Sequence, residues 1–292
     1  IMAATTTSTI AGLMETINAG LVSQLGTFSG LWNAPFTKEA DNALTVNFPT
    51  YDTGIRTSAA TASTEGSDVE VSTITINANA ATLVSYPVLA RVSKSAIKGG
   101  VGIVDSVTKG IGRKVGNTID GLIYDVGEAG FTTSVTSSDG FSLDDLSSQV
   151  ATLKAAGYGP EFVAILDPRQ WEGAYGLQQD ILALNTPMTN DNIVSGSEMR
   201  GGGYQGRVQG VDIYTTHMAN TAAGTAALSG NTVATALIFS KDALAFGYGT
   251  PLVELESQPN LAKNAYDIGG STFCVAKVCD TSGGVGFLTV VA

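Results

Sequence analysis

From Arg91 to Tyr124 the chain keeps its charges on one side of a helix for about nine turns. Advancing about 100° per residue from Lys94, the residues Arg91, Lys98, Asp105, Lys109, Arg113 and Asp120 fall in one sector of about 100°. Ile97, Val101, Val104, Val107, Ile111, Val115, Ile119 and Leu122 fall in a second sector on the far side, and only Lys114 breaks the separation. The pattern predicts one amphipathic spine helix over about 91–124, some 46 Å long at ~1.5 Å per residue, against a mean helix of ~11 to 12 residues. Seven glycines stand within it (Gly99, Gly100, Gly102, Gly110, Gly112, Gly116, Gly121). Each costs up to ~1 kcal/mol relative to Ala, about 6 to 7 kcal/mol together, so propensity alone does not form it. Burying the eight apolar residues returns roughly 12 to 24 kcal/mol as an upper bound, which requires a long partner surface. The glycines also predict bends and close backbone approach.

The rest of the chain must supply that surface with little charge. Hydrophobic residues make up 43% of the 292 and charged residues 14%, well under the usual share of roughly 25%, so Thr, Ser, Asn, Gln and Gly cover much of the exterior. A disordered polyelectrolyte is excluded. The net charge of −11 has the wrong sign for a protein that grips phosphate backbones over most of its surface. One histidine, His217, and two cysteines, Cys274 and Cys279, leave little material for metal or thiol chemistry. Five residues apart on a β-rich segment, the cysteines are expected reduced and buried. No secretory pattern and no membrane-length apolar run appears, which predicts a soluble chain made inside the cell.

Ile10, Leu13, Met14, Ile17, Leu21 and Leu25 recur at helical spacing ahead of Gly26, predicting a short helix in an N-terminal arm. The period then changes to two, giving strands at Leu44–Phe48 and Ile74–Ala78. About twenty residues without hydrophobic period join them, a hairpin tip long enough to suggest function or disorder, with no evident hold within the subunit. Beyond the spine, Ser142 and Asp145 form a capping-box start to a helix closing at Gly157, and Phe162–Leu166 reads as a buried strand. Asp167 and Pro168 open a second helix running to about Leu177, followed by a polar loop from Asp180 to Gly203. Arg207–Tyr214 reads as a strand pair or a bent strand around Gly210, Ala236–Phe239 as a strand and Ser240–Phe246 as one or two helical turns. Strands at Val253–Ser257, Thr272–Val278 and Val285–Val291 complete a β-rich final third, the last two joined by the turn DTSGG.

Catalytic chemistry finds little support. A nucleophile system would have to use His217, which sits in an uncharged loop, and no Gly-x-Ser-x-Gly elbow occurs. Gly110, Gly112 and Gly116 imitate a dinucleotide fingerprint but lie inside a helix with the third glycine one residue late. Asp139, Asp144 and Asp145 could gather a hard cation, yet two of them stand at a helix start where carboxylates stabilise the dipole. No catalytic residue, metal ligand or cofactor is therefore assigned. Six of fifteen basic residues crowd into 91–114, a face read either as solvated, with Asp105 and Lys109 paired at i, i+4, or as a weak contact for nucleic acid or another subunit's carboxylates.

The order of elements, together with SYPVLARVSKSAIKGGVGIVDSVTKGIGRKVGNTIDGLIYD, FVAILDPRQW, GRVQGVDIYTT and ALIFSKDALAFGYG, resembles the major capsid proteins of tailed bacteriophages of the Hong Kong 97 type across essentially the whole chain. The resemblance implies an α+β fold with an N-terminal arm (1–40), an extended hairpin loop (41–85), a peripheral domain carrying the spine (86–138 and 248–282) and an α/β axial domain (139–247 and 283–292). It implies a structural, non-enzymatic virion protein that self-assembles as hexamers and pentamers into an icosahedral shell around double-stranded DNA. Copies of itself, a scaffolding protein, a portal and decoration proteins are the implied partners, with no membrane and no sequence-specific DNA contact, and assembly in the host cytoplasm. The hairpin tip and the arm would then bury nothing at home, their partner surfaces being other copies. Candidate inter-subunit or lumenal electrostatic contacts are then Arg56, Glu65, Asp68, Lys94, Lys98, Lys109 and Arg113.

Some members of that family join subunits through a lysine in the extended hairpin, but no lysine lies between Lys38 and Lys94, so no such crosslink is expected. Fewer than ninety residues precede the spine, which would leave scaffolding either to a removed segment or to a separate chain. An encapsulin-like nanocompartment shell is the alternative in the same fold. A hydrolase using His217 and a phage tail-tube protein stand lower, the latter disfavoured by the long helix.

Overall fold

The computed structural model describes residues 29–40, 44–51, 76–95, 103–137, 140–173, 176–183, 203–219, 221–223, 231–260 and 262–291. The predicted N-terminal helix at 10–25, the hairpin tip and most of the Asp180–Gly203 loop lie outside them.

Two sheets share one long helix. Helix α1 (Ile103–Gly130, 28 residues) is the spine, and Lys94 and Ser95 are helical ahead of it. Its position corrects the predicted span: Arg91 belongs to strand β4 (Val84–Ser93), and the helix continues six residues beyond Tyr124. Val88 and Val92 alternate inward along that strand, so the local period is two where the helical wheel had counted Arg91 as a helix position.

The first sheet runs β1-β11-β12-β4, with β1 at Phe36–Ala40, β11 at Leu244–Asn260 and β12 at Ala265–Val278. β1 lies parallel to β11, and the long β11 and β12 pair antiparallel with a register shift between Tyr248 and Val253. Alternation gives this sheet two apolar faces. Leu244, Phe246, Ile268, Cys274 and Ala276 face α1, while Ala245 joins Val46 and Phe48 on the opposite side. Those two residues belong to a hairpin of β2 (Thr45–Tyr51) and β3 (Ile76–Thr82).

The second sheet runs β5-β13-β10-β6-β8-β7, with the short β9 (Thr221–Ala223) beside β10. Its strands are β5 (Thr132–Ser137), β6 (Phe162–Leu166), β7 (Tyr204–Val208), β8 (Val211–Thr215), β10 (Thr232–Ser240) and β13 (Gly284–Val290). Helix α2 (Leu143–Ala155), helix α3 (Pro168–Glu172) and helix α4 (Leu177–Ala183) cover one face, packing Leu146, Val150, Leu153 and Trp171 on Phe162, Ala164, Ala236 and Ile238. The alternate residues Val163, Ile165, Leu237 and Phe239 join the core that contains α1.

Local chemistry accounts for the boundaries. Ser142 and Asp145 form the expected capping box, which settles Asp145 as a cap. Asp167 caps α3 with Pro168 in its first turn, but this helix stops at Glu172 rather than near Leu177. Gly173 ends it, since a Cβ there would stand 2.2 Å from the Arg169 carbonyl oxygen. Arg207–Tyr214 is a strand pair, turned by Gln209 (φ 51°) and Gly210 (φ 85°), a left-handed pair suited to a tight hairpin. The helical turns expected over Ser240–Phe246 shrink to a 3₁₀ turn at Lys241–Ala243, because Leu244 and Phe246 already alternate into the sheet core.

Candidate functional site

The site to be explained is the set of surfaces meeting at the spine. Along the first half of α1 the apolar stripe behaves as the spacing predicts. Ile111, Val115 and Ile119 are buried, Val107 and Leu122 pack half-buried against the same core, and Lys109 and Arg113 are exposed opposite them. Val104 lies in the helix without a described side chain, and Ile97 and Val101 fall outside the described residues.

The second half departs from the stripe. Ile123 and Tyr124 are fully buried, and Asp120, placed on the charged face by its spacing, is only 3% exposed. Here α1, still against Val278 of the first sheet at its end, also meets β10 and the base of the arm, so both of its sides are covered. Tyr124 Oη donates to the Thr235 carbonyl in β10 at 2.7 Å, and burial pushes its pKa well above the ordinary phenol range. Asp120 accepts from Ser29 Oγ at 2.8 Å and from the backbone N–H groups of Gly30 and Leu31 at 3.1 Å each. Periodicity could not find this contact, because its partners lie some ninety residues away.

Glycine makes the close approaches possible. A Cβ on Gly127 would meet Leu237 Cδ1 at 2.9 Å, and one on Gly130 would meet Val278 Cγ2 at 2.5 Å. At the arm, a Cβ on Gly30 would lie 2.9 Å from the Gly203 Cα, backbone on backbone. Leu31 and Ala34 are fully buried, and the Trp32 ring sits 5.4 Å from Phe246 and 4.8 Å from Tyr248. The base of the arm is therefore held by its own subunit, which corrects the expectation that the arm buries nothing at home. Apolar burial of Leu31 and Ala34 together with the Asp120 contacts is the reason.

The hairpin is likewise fastened at its root. Val46 and Phe48 press on Gly247, where a Cβ would stand 3.0 Å from both side chains. Lys38 Nζ donates to the Asn47 carbonyl at 2.7 Å, Lys277 Nζ to the Ala80 carbonyl at 3.0 Å and Asn79 Nδ2 to the Cys279 carbonyl at 3.3 Å. Among the described residues the large apolar side chains left exposed are Leu44 at the hairpin root, and Val84 and Leu89 on the edge strand β4. On the same strand Arg91 forms a bidentate pair with Asp267 at 2.6 and 2.9 Å, holding that carboxyl down at about 2.

Of the candidate electrostatic residues, Lys94 is half-buried with its ammonium 5.6 Å from the Tyr266 ring centre, and Lys109 and Arg113 stand on the open side of α1. Arg56, Glu65, Asp68 and Lys98 lie outside the described residues. His217 is exposed in the turn after β8, near enough to the buried Asp120 for its charge to act on that carboxyl group. Cys274 is buried and Cys279 only half-buried, a correction to the expected burial of both; burial pushes each thiol up to about 11. No described helix is long and apolar enough to cross a membrane, and no cluster of three or more metal-ligating side chains occurs among the described residues.

This shared spine, flanked by two sheets and a projecting hairpin, is the architecture of Hong Kong 97-type shell proteins. Solved structures of that kind are similar over nearly their whole length. The capsid of Ralstonia phage GP4 superposes with a TM-score of 0.64 at 11% identity, covering 90% of this chain and 92% of that one. The head structure of Helicobacter pylori bacteriophage KHP40 gives 0.61 at 8% identity over 91% of each chain. A virus-like particle from Pyrococcus furiosus gives 0.59 at 12% identity over 94% of this chain and 98% of that one. No curated protein sequence matches. Residues 80–286 match the family model described as phage capsid protein, and the chain belongs to that family. It is a structural component of a virion capsid, not an enzyme.

Proposed function

We propose that this chain is the major capsid protein of a tailed phage, assembling as hexamers and pentamers into an icosahedral shell around double-stranded DNA. The observation that carries this reading is the family match across residues 80–286. The arm (1–40), the hairpin loop (41–85), the peripheral domain (86–138 and 248–282) and the axial domain (139–247 and 283–292) take the roles that such a shell needs. The exposed Leu44, Val84 and Leu89 mark surfaces for neighbouring copies. Arg56, Glu65, Asp68, Lys94, Lys98, Lys109 and Arg113 are the proposed contacts between subunits or with the lumen, and Ile97 and Val101 extend the spine's packing stripe. Scaffolding, portal and decoration proteins join during assembly in the host cytoplasm. The net charge of −11 suits a container that confines duplex DNA without trapping it.

Electron microscopy of the purified chain, expressed alone and with its phage's scaffold, tests this directly. Closed shells with five- and six-fold capsomers, and nuclease-protected duplex in particles from infected cells, are expected. Monomers under both conditions, or capsomers that bind DNA tightly at physiological salt, would overturn it. The likeness to a virus-like particle favours a second reading, an encapsulin-like nanocompartment. Shells filled with a cargo enzyme and free of genome would establish that reading instead.

A further inference from the structure

Strand β4 (Val84–Ser93) closes one side of the first sheet: it pairs with β12, and among the described residues no strand pairs with its other side. Lys94 N–H donates to the Asn264 carbonyl at 3.0 Å, in step with the unshifted β12–β4 register. Backbone groups alternate in direction along a strand, so the even-numbered residues of β4 turn their N–H and C=O groups to β12, and Ser85, Pro87, Leu89 and Arg91 turn theirs to the open edge. Pro87 fits that parity, since a proline whose nitrogen points outward costs the ladder no bond. The edge strands β1 and β7 are defended: each has five residues, with Lys38 and Glu39 exposed on β1 and Arg207 exposed on β7. β4 has ten residues, carries Leu89 at 63% exposure, and has a single charge, Arg91, which the bidentate pair with Asp267 holds across to β12.

We propose that β4 pairs antiparallel with the β4 of a second copy across a twofold axis, joining the two first sheets edge to edge. Three features of the strand select its own copy as the occupant. An outward row of alternating donors and acceptors is complementary to itself when turned through a twofold axis, which is the condition for an isologous contact. Cross-strand neighbours share a face, so the two Leu89 side chains come together and lose their exposure to water. Like charges facing each other across the axis would oppose the contact, and Asp267 neutralises Arg91 within each subunit. Pro87 brings no donor, so the pairing centres on Leu89 and Arg91 rather than on Ser85 and Pro87. The inference rests on the assembly reading above for one point only, that copies of this chain associate.

Amide hydrogen exchange in dissociated subunits and in assembled particles tests the pairing, because strand addition has an odd–even signature that side-chain contact lacks. Val88, Ala90 and Val92 should be protected in both states. Leu89 and Arg91 should exchange rapidly in the subunit and slow by about fivefold or more in the particle, the worth of one net backbone hydrogen bond. Particles in which Leu89 and Arg91 exchange as they do in the subunit overturn the pairing and leave the capsid reading standing, whereas a chain that never assembles overturns both. Leu89→Lys, at an exposed position, should leave the urea midpoint of the subunit unchanged and abolish the slowing at Arg91; slowing that persists overturns the proposal. In a Cys279→Ser background, Leu89→Cys particles treated with a short bis-maleimide should yield a dimer joined through position 89 of each chain. A protected edge without that dimer gives the edge to a different strand and overturns the self-pairing.

Discussion

Gly110 is the position at which the spine can be strengthened without touching its packing. It lies well inside the 28-residue α1, and a Cβ built there meets nothing within 4 Å. Gly in a helix interior costs roughly 0.8 to 1.0 kcal/mol relative to Ala, because its unfolded backbone has more freedom to lose. Gly110→Ala should therefore stabilise the dissociated subunit by about 1 kcal/mol, a rise of about 2 °C in Tm for a chain of this size. Gly130→Ala is the matched opposite. Its Cβ would stand 2.5 Å from Val278 Cγ2 and 3.0 Å from Val278 Cβ, and a β-branched neighbour cannot rotate out of the way. Overpacking of that kind costs about 1 to 3 kcal/mol. Urea unfolding of the two variants, read by near-ultraviolet circular dichroism, separates the signs. Destabilisation by Gly110→Ala would refute the account of an open spine face. A stabilised subunit that no longer assembles would instead place a neighbouring copy against Gly110.

Phe48→Ala should release the hairpin root from Gly247, costing about 3 to 5 kcal/mol locally, with limited proteolysis accelerated between β2 and β3 before the body unfolds. The Arg91–Asp267 pair sets an acid limb: with Asp267 held at about 2, below its unfolded value, its contribution is complete above about pH 4 and disappears as pH falls toward 2. Acid unfolding of Arg91→Gln should lose that slope. Cys274, pushed up to about 11, should react with maleimide at pH 7.5 far more slowly than a free thiol, and rapid labelling of folded Cys279→Ser would contradict its burial. Denaturing gels of assembled particles should show this chain as a single band with no ladder, because no lysine lies between Lys38 and Lys94.

What the sequence revealed was whatever depends on neighbours a few residues apart. The Ser142–Asp145 cap, the Asp167–Pro168 start and the buried strand Phe162–Leu166 are local devices, and all three appear as read. The spine was legible for the same reason, as far as Ile119. It failed at both ends through long-range competition. Arg91 satisfies the helical wheel, but β12 offers its backbone a ladder and its side chain Asp267. Asp120 also satisfies the wheel, yet the arm brings three donors from positions 29–31 and the polar side of the helix closes over. No period in the sequence encodes the arrival of a distant segment. The arm's burial was hidden likewise, since Leu31 and Trp32 stand in a short apolar run whose partners, Phe246 and Tyr248 among them, come from far along the chain.

The spine lies in one core that both sheets share, and that sharing has a mechanical consequence. Ile111 and Val115 face the sheet built on β11 and β12, whereas Tyr124 reaches β10 in the other sheet through its hydroxyl. A helix bends only where its hydrogen-bond ladder or its packing yields, and the buried Gly112, Gly116, Gly121 and Gly127 are the positions where α1 has least side chain to resist. Gly121 and Gly127 are also where Met218 and Leu237 crowd closest, so a bend there would have to displace packed neighbours. Rotation of one sheet against the other must therefore either bend α1 at these glycines or break the Tyr124–Thr235 bond. The Ser29–Asp120 contact sits one turn away on the same helix, so the hold on the arm and the bond to β10 share one stretch of α1.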